Sequence, residues 1–382
     1  MPRLLILSIA ALGACTGGPP NDERCEGNFE IQSAEDMADI TVCETITGML
    51  TIFDQDWLTE VQLPELVSVR ELSIHENDAL VSLDGFSNLT GMDGLSLHNN
   101  DALISLDGLS AAVITDYLRV SNNSQLGNVD GLSALSGLTQ WLEINDNDVL
   151  TNVDGLSGVT TVSHLLIRGN PALTDMTGLS NISMVGGTVM ISGNNGITSS
   201  GLTALVAIEA SAASCDRWPD DELEEVCGLR IDNNPQVADL NDLASLVSID
   251  GDLLIQDNER LANLDGLAKL TSARSVTVWN NAELADLNGL SGLTSTDAEL
   301  WIQENDKLTN LDGLANLSTV GDWVFIGKNN TLSDISGLSE LNTVGGYLKV
   351  WDNPSLCETT ATSFAAGVDV SGEVDIQGND DC

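Results

Sequence analysis

The sequence repeats itself, and the period constrains the fold more than any other feature. Leu300–Val320 reads LWIQENDKLTNLDGLANLSTV, and nearly every stretch after residue 48 is a variant of it. Each copy has a strand-like L-x-I, an Asn three residues after the Ile, a Leu, then Leu-Asp-Gly-Leu, a further Leu and a Val. Aligned on the strand centre, the copies fall at Ile52, Ile74, Leu97, Val120, Ile144, Ile167, Ile191, Ile231, Ile255, Val278, Ile302, Ile326, Val350 and Ile376. Their spacing is 22 to 24 residues, except for 40 after Ile191 and 26 at the end. A fixed period with leucines at fixed offsets marks stacked single-turn units. One unit cannot bury its own leucines, so a core exists only where neighbours cover each other. The expected fold is a β-solenoid of about fourteen coils, a rod roughly 65 Å long at the usual strand spacing.

Within each coil, L-x-I predicts a short parallel strand whose two apolar side chains point inward while the flanking positions point out. The Asn recurs at Asn77, Asn100, Asn123, Asn147, Asn170, Asn194, Asn234, Asn258, Asn281, Asn305, Asn329, Asn353 and Asn379. A polar side chain turned into the core is costly unless all its donors and acceptors are paired. Amides stacked from coil to coil and bonded to backbone meet that demand, which argues for an internal ladder and against an Asn-lined ligand site. In the Ile52 coil the slot holds Gln55, so that coil is expected to be irregular. The Asp of Leu-Asp-Gly-Leu (Asp84, Asp107, Asp130, Asp154, Asp265, Asp312) reads as the N-cap of a single helical or 3₁₀ turn on the opposite side. A calcium ladder is the rival, but the spacing fits neither an EF-hand loop nor the Gly-rich nonapeptide repeat.

Charge narrows the partners. With 58 acidic residues against 13 basic ones the net charge is -45, which disfavours nucleic acid and anionic lipid surfaces. The acids are spread along the whole chain, as solubility in an exposed setting would require. At the N-terminus, Met1-Pro2-Arg3 followed by the apolar run Leu4–Leu12 reads as a secretory signal over residues 1–14. The ending Leu12-Gly13-Ala14-Cys15 resembles the bacterial lipobox. That resemblance implies cleavage before Cys15, lipid on its thiol and amine, and, with Thr16 next, sorting to the outer membrane. Membrane contact would then run through the lipid anchor only, with residues 15–24 as a tether.

Seven cysteines less Cys15 leave six, in three local pairs: Cys25 with Cys43, Cys215 with Cys227, and Cys357 with Cys382. Solenoid ends expose a hydrophobic cross-section and need capping, and disulfides persist outside the reducing cytoplasm. No C-x-x-C spacing supports a metal site. The expected layout is a cap over residues 25–47, opened by the helix-starting Ser33-Ala34-Glu35-Asp36, and one solenoid over 48–382. A disulfide-closed insertion at 209–227 would carry a short helix after Pro219, with Trp218 more plausible as packing than as a contact residue.

Cys25-x-Gly27-Asn28, followed by Cys43-x-x-Ile46-x-Gly48-x-Leu50-x-Ile52, is similar to the opening of the receptor L domain, the ligand-binding module of insulin and epidermal growth factor receptors. Leu341–Asn353 keeps that look, and L-x-x-L-D-G-L-x-x-L resembles the internalin-type leucine-rich repeat. The resemblance covers about residues 25–382. It implies a right-handed parallel β-helix of L-domain or leucine-rich-repeat type whose extended face binds polypeptides. This chain departs from the receptors in its many more regular coils and in lacking a cysteine-rich domain, transmembrane helix or kinase. Ligand identity therefore does not carry over.

The outward strand positions hold Tyr117, Trp141, Trp279, Trp301, Trp323, Phe325, Tyr347 and Trp351, eight of the chain's fourteen aromatics, together with His75, His98 and His164. Cross-strand packing accounts for some of these. The concentration between Trp279 and Trp351 on neighbouring coils reads better as a ligand-contact face, since Trp and Tyr are typical interface anchors. Catalysis is not expected. The histidines are scattered, no nucleophile motif or zinc spacing accompanies them, and no Gly-rich phosphate cradle or cofactor signature is present. The repeated glycines read as turns between coils. These observations predict an exported, lipid-anchored recognition protein for a protein, peptide or glycan. The alternative is a structural envelope spacer or self-associating component without a dedicated ligand.

Overall fold

The computed structural model describes residues 24–209 and 227–382, so Cys15, the leader, Cys215, Trp218 and the expected insertion helix lie outside the described residues. Every strand pairing among the described residues is parallel. The main sheet has 19 strands and a second, narrower one has four: Ser295–Thr296, Thr319–Val320, Thr343–Val344 and Asp369–Val370. The strand centres form one row, with Ile52 opposite Ile74 at one end and Val350 opposite Ile376 at the other. Across the long gap Ile191 pairs with Ile231, so the stack continues in register. The molecule is a parallel β-solenoid.

Parity places the core. Leu300 and Ile302 are fully buried, as are their equivalents Leu253 and Ile255 or Val324 and Ile326, while Trp301 and Phe325 between them stay partly exposed. Each buried Leu or Ile contributes about 1.5–3 kcal/mol by leaving water. Because every coil repeats the arrangement, the core is one continuous apolar column.

Directly after each strand the chain turns inward through a left-handed residue. Eleven non-glycine residues have φ between 51° and 58°, from Asp54 to Asp352, and Gly169, Gly193 and Gly378 fill the same corner in other coils. Asn, Asp and Gly predominate there because they tolerate this conformation best. The sequence carries that signal one position before most ladder asparagines, Glu76, Glu304 and Lys328 being the exceptions.

The ladder Asn follows and is buried in every coil. Asn281 is representative: its Nδ2 donates to the Ile255 carbonyl (3.0 Å) and the Trp279 carbonyl (3.1 Å), and its Oδ1 accepts from the Asn258 backbone N–H (3.2 Å). The ladder has defined ends. Gln55 is not the irregularity expected: its N–H donates to Asn77 Oδ1 at 3.1 Å and its Nε2 reaches the Phe53 carbonyl, so glutamine serves as the first rung. At the far end the Glu358 carboxylate takes the Asn379 N–H (3.1 Å) and Nδ2 (3.2 Å).

Opposite the main sheet, ten 3₁₀ turns recur among the described residues, from Asp84–Phe86 to Ser336–Leu338. The expected Asp caps are corrected here. Asp154 is the first residue of its turn, not its cap, and makes no side-chain capping bond. The cap comes from two residues earlier: Asn152 Oδ1 accepts the Asp154 N–H (3.1 Å), and Asn128, Asn263 and Asn310 do the same for Asp130, Asp265 and Asp312. An Asx side chain reaches a backbone N–H two positions on without distorting the turn.

The glycine reading is corrected too. Gly131 lies inside its 3₁₀ turn, and a Cβ there would stand 1.9 Å from the Leu106 carbonyl oxygen of the preceding coil. Glycine is required by how closely the turns stack, not by a positive φ.

The ends are closed by helix and disulfide. Helix α1 (Ala34–Asp39) is capped by Ser33, whose Oγ accepts the Asp36 N–H, while Asp36 reaches back to the Gln32 N–H. Phe29–Ile31 before it pairs with Leu50–Ile52, so the N-terminal cap supplies a strand of the sheet itself. Cys25 and Cys43 are bridged with Cα atoms 5.7 Å apart. At the other end α2 (Glu358–Ala365) buries Ala361 against the last coil, and Cys357 is bridged to Cys382. Cys227 is disulfide-bonded. No helix among the described residues is long and apolar enough to cross a membrane.

Candidate functional site

The outward side chains of the main sheet form three columns, one before the L-x-I pair, one between and one after. Their register makes the C-terminal coils a small grid. The Ile302 coil offers Glu299, Trp301 and Gln303; the Ile326 coil offers Trp323, Phe325 and Gly327; the Val350 coil offers Tyr347, Lys349 and Trp351.

At its centre four rings are in contact. Trp301 stacks on Phe325 with centroids 4.4 Å apart, and Trp323 meets Phe325 edge-on at 5.8 Å and Tyr347 at 5.7 Å. Such pairs contribute about 0.5–1.5 kcal/mol each beyond burial. Yet the cluster remains open to solvent, with Tyr347 46% exposed. Trp301 Nε1 is held by Gln303 Oε1 (3.0 Å), which fixes the indole on the sheet.

Trp279 and Trp351 occupy the third column and are not part of the four-ring contact. Trp279 is 38% exposed, and its Nε1 donates to Glu304 (3.0 Å). That bond, with those from Gln303 and Lys328, holds the Glu304 carboxyl below its ordinary value. Trp351 carries two ammonium groups over its ring, Lys349 at 4.9 Å and Lys328 at 5.1 Å. Between these two tryptophans the left-handed corner residues border a shallow groove of about 520 Å³, lined by Asn280, Glu304, Asp306, Lys328, Asn330, Asp352, Pro354 and Gly378. In the sequence the groove shows only through the corner residues that form one of its walls.

Several of the expected contact residues rest on a neighbouring glycine. A Cβ at Gly94 would overlap the Tyr117 ring, one at Gly327 the Trp351 indole, one at Gly346 Trp323, and one at Gly187 the imidazole of His164. In each case a flat ring covers bare backbone, which divides the aromatic set. Tyr117, Trp323 and Trp351 spend one face on such a glycine and, like Trp301 and Phe325, are half-buried, while Trp279 and Tyr347 are the exposed rings of the set.

Tyr117 and Trp141 lie far along the sheet from the C-terminal cluster, and the structure does not bring them together with it. Tyr117 is half-buried beside Glu71 (3.4 Å), and burial first, then that carboxylate, pushes its phenol up to about 12. Trp141 stacks on His164 at 6.3 Å. His164 is buried, contrary to its expected outward exposure, because it lies under Trp141 and over Gly187.

At the N-terminal end Phe53, His75 and His98 form a second stack, with centroids 4.6 and 4.5 Å apart. Burial lowers both imidazoles, and His75 and Arg119 lower His98 further. Phe53 and the exposed Trp57 were absent from the expected set, although Phe53 holds the outward position directly after Ile52 in the same column as His75. No group of three His, Cys, Asp or Glu among the described residues could hold a metal ion.

The parallel register, the internal Asn ladder and the leucine column together decide the architecture. The chain is a leucine-rich solenoid. No family model matches its sequence, and no curated protein matches it. Among solved structures it is similar to an internalin from Listeria monocytogenes, at 18% identity over 85% of this chain and 86% of that one, with a TM-score of 0.38. It is also similar to a leucine-rich-repeat protein of Leptospira interrogans, at 15% identity over 92% and 95%, with a TM-score of 0.34. These values are too low for either protein's partners to bear on this chain.

Proposed function

We propose that this leucine-rich solenoid is an exported, lipid-anchored recognition protein that binds a protein, peptide or glycan through the outer sheet face of its C-terminal coils. The observation that carries the reading is the contiguous cluster of Trp301, Trp323, Phe325 and Tyr347, held rigidly on a parallel sheet and left open to solvent. Rigid aromatics give large contact area for little lost conformational entropy. Lipid on Cys15 would place that face outside the cell at a membrane.

The test is a surface-ligand screen with Trp301→Ala and Trp323→Ala. Binding should be abolished while the far-ultraviolet spectrum is kept, the lost ring pairs costing about 1–3 kcal/mol without unfolding the chain. Retained binding would reject the face, and loss of fold would make these residues structural. Mass spectrometry of the mature protein from its native host tests the anchor, which an unmodified Cys15 would exclude.

The rings seated on Gly94, Gly327 and Gly346 favour a second reading, a structural spacer in which the aromatics stiffen the sheet. Crosslinking at native density that joins neighbouring copies through this face would support it.

A further inference from the structure

The four-ring cluster lies between carboxylates that form no ion pair among the described residues. Glu299 stands outward in the coil before Trp323, Asp322 adjoins Trp323, and Glu373 follows Tyr347 in the last coil. The cations nearby are already engaged: Lys349 with Asp375 (3.1 Å), Lys328 with Glu304 (3.1 Å), and Arg274 with Asp252. Among the described residues, Glu299, Asp322 and Glu373 are in no ion pair. Burial first, then the charges of Asp322 and Asp252, raise the Glu299 carboxyl, and the guanidinium of Arg274, paired with Asp252, offsets them only in part.

The same face already accommodates ammonium groups, since Lys328 and Lys349 both sit over the Trp351 ring. Among the described residues no cation sits over Trp301, Trp323, Phe325 or Tyr347. An aromatic surface attracts a cation through its ring quadrupole, and a bordering carboxylate strengthens the attraction.

Resting on the docking face proposed above, we infer that its partner is a basic polypeptide segment. Its lysine or arginine side chains would lie on the four-ring cluster, with Glu299, Asp322 and Glu373 as their counter-charges. A neutral glycan would also stack on these rings but would gain nothing from three unpaired carboxylates. The net charge of -45 would draw a basic segment in from a distance, and the grid would decide where it lands.

The test uses the full chain and a labelled peptide of alternating lysine and serine, beside the same peptide with every lysine acetylated. The lysine peptide should bind, and acetylation should weaken it at least about tenfold, given roughly two- to fivefold per cation–ring contact over several lysines. The triple variant E299Q/D322N/E373Q should lose about tenfold, and so should W301A/F325A. The triple variant D84N/D107N/D130N removes the same charge from the opposite side of the coils and should change binding less than about twofold.

Equal weakening by the remote variant would reduce the effect to bulk charge and overturn the inference, as would absence of lysine-peptide binding. If the acetylated peptide binds equally well and W301A/F325A abolishes it, the cation reading falls while the docking face stands. If both peptides bind and W301A/F325A changes neither, both readings fall.

Discussion

Replacing Asn281 by alanine should cost more than any single exposed change in this chain. Asn281 is fully buried in the middle of the ladder. Its amide satisfies the Ile255 carbonyl and its oxygen satisfies the Asn258 N–H. The Trp279 carbonyl it also contacts keeps a second partner, the Asp257 N–H at 3.1 Å, and is not orphaned. The Ile255 carbonyl likewise keeps the Trp279 N–H of the parallel ladder, so the Asn258 N–H is the buried backbone group that loses its partner. At about 1–3 kcal/mol for an unsatisfied buried group, the expected loss is about 1–3 kcal/mol.

Urea denaturation followed by circular dichroism measures it, with Asn330→Ala as the control, since Asn330 is exposed and its side chain bonds, among the described residues, only to Asp306. A solenoid couples each coil only to its neighbours, so the break should also tend to split the unfolding curve into two transitions. A loss below about 1 kcal/mol, indistinguishable from Asn330→Ala, would refute the claim that the ladder holds the coils together.

Gly131→Ala should destabilise by about 2–3 kcal/mol in the same assay, because the new Cβ meets the Leu106 carbonyl; an unchanged midpoint would contradict the tight stacking. The chain has only two tyrosines, so near-ultraviolet titration can follow Tyr117, whose phenolate should appear at about 12 and move down in Glu71→Gln. Since its folded value is raised, the stability from neutral Tyr117 is complete below the ordinary tyrosine value and is lost as pH rises towards about 12. His75 and His98 behave oppositely. Their folded values are lowered, so their contribution is complete above the ordinary imidazole value and is lost as pH falls through the folded values. Proton NMR titration should show both protonating late, and His75→Phe should remove part of the acid sensitivity while keeping the stack on Phe53.

Much of this architecture was legible because a short period leaves the chain few choices. Leucines every 22 to 24 residues can be buried only by stacking, and an Asn at a fixed inward offset can be satisfied only by its equivalents above and below. Strict alternation along L-x-I then determined which aromatics face outward, since side chains in a strand point to opposite faces in turn. What the pattern could not reveal was contact between coils. Nothing local to Gly131 says that a carbonyl of the preceding coil will lie against it. Nothing local to Asp154 says that Asn152 will reach its N–H first. The outward aromatics looked equivalent in sequence, and only stacking separated Trp301 and Phe325, which lie ring on ring, from Tyr117 and Trp351, which lie on glycines of the neighbouring coil. Period and parity are properties of one coil and can be read along the chain. Seating, capping and charge pairing belong to two coils at once and exist only when the stack has formed.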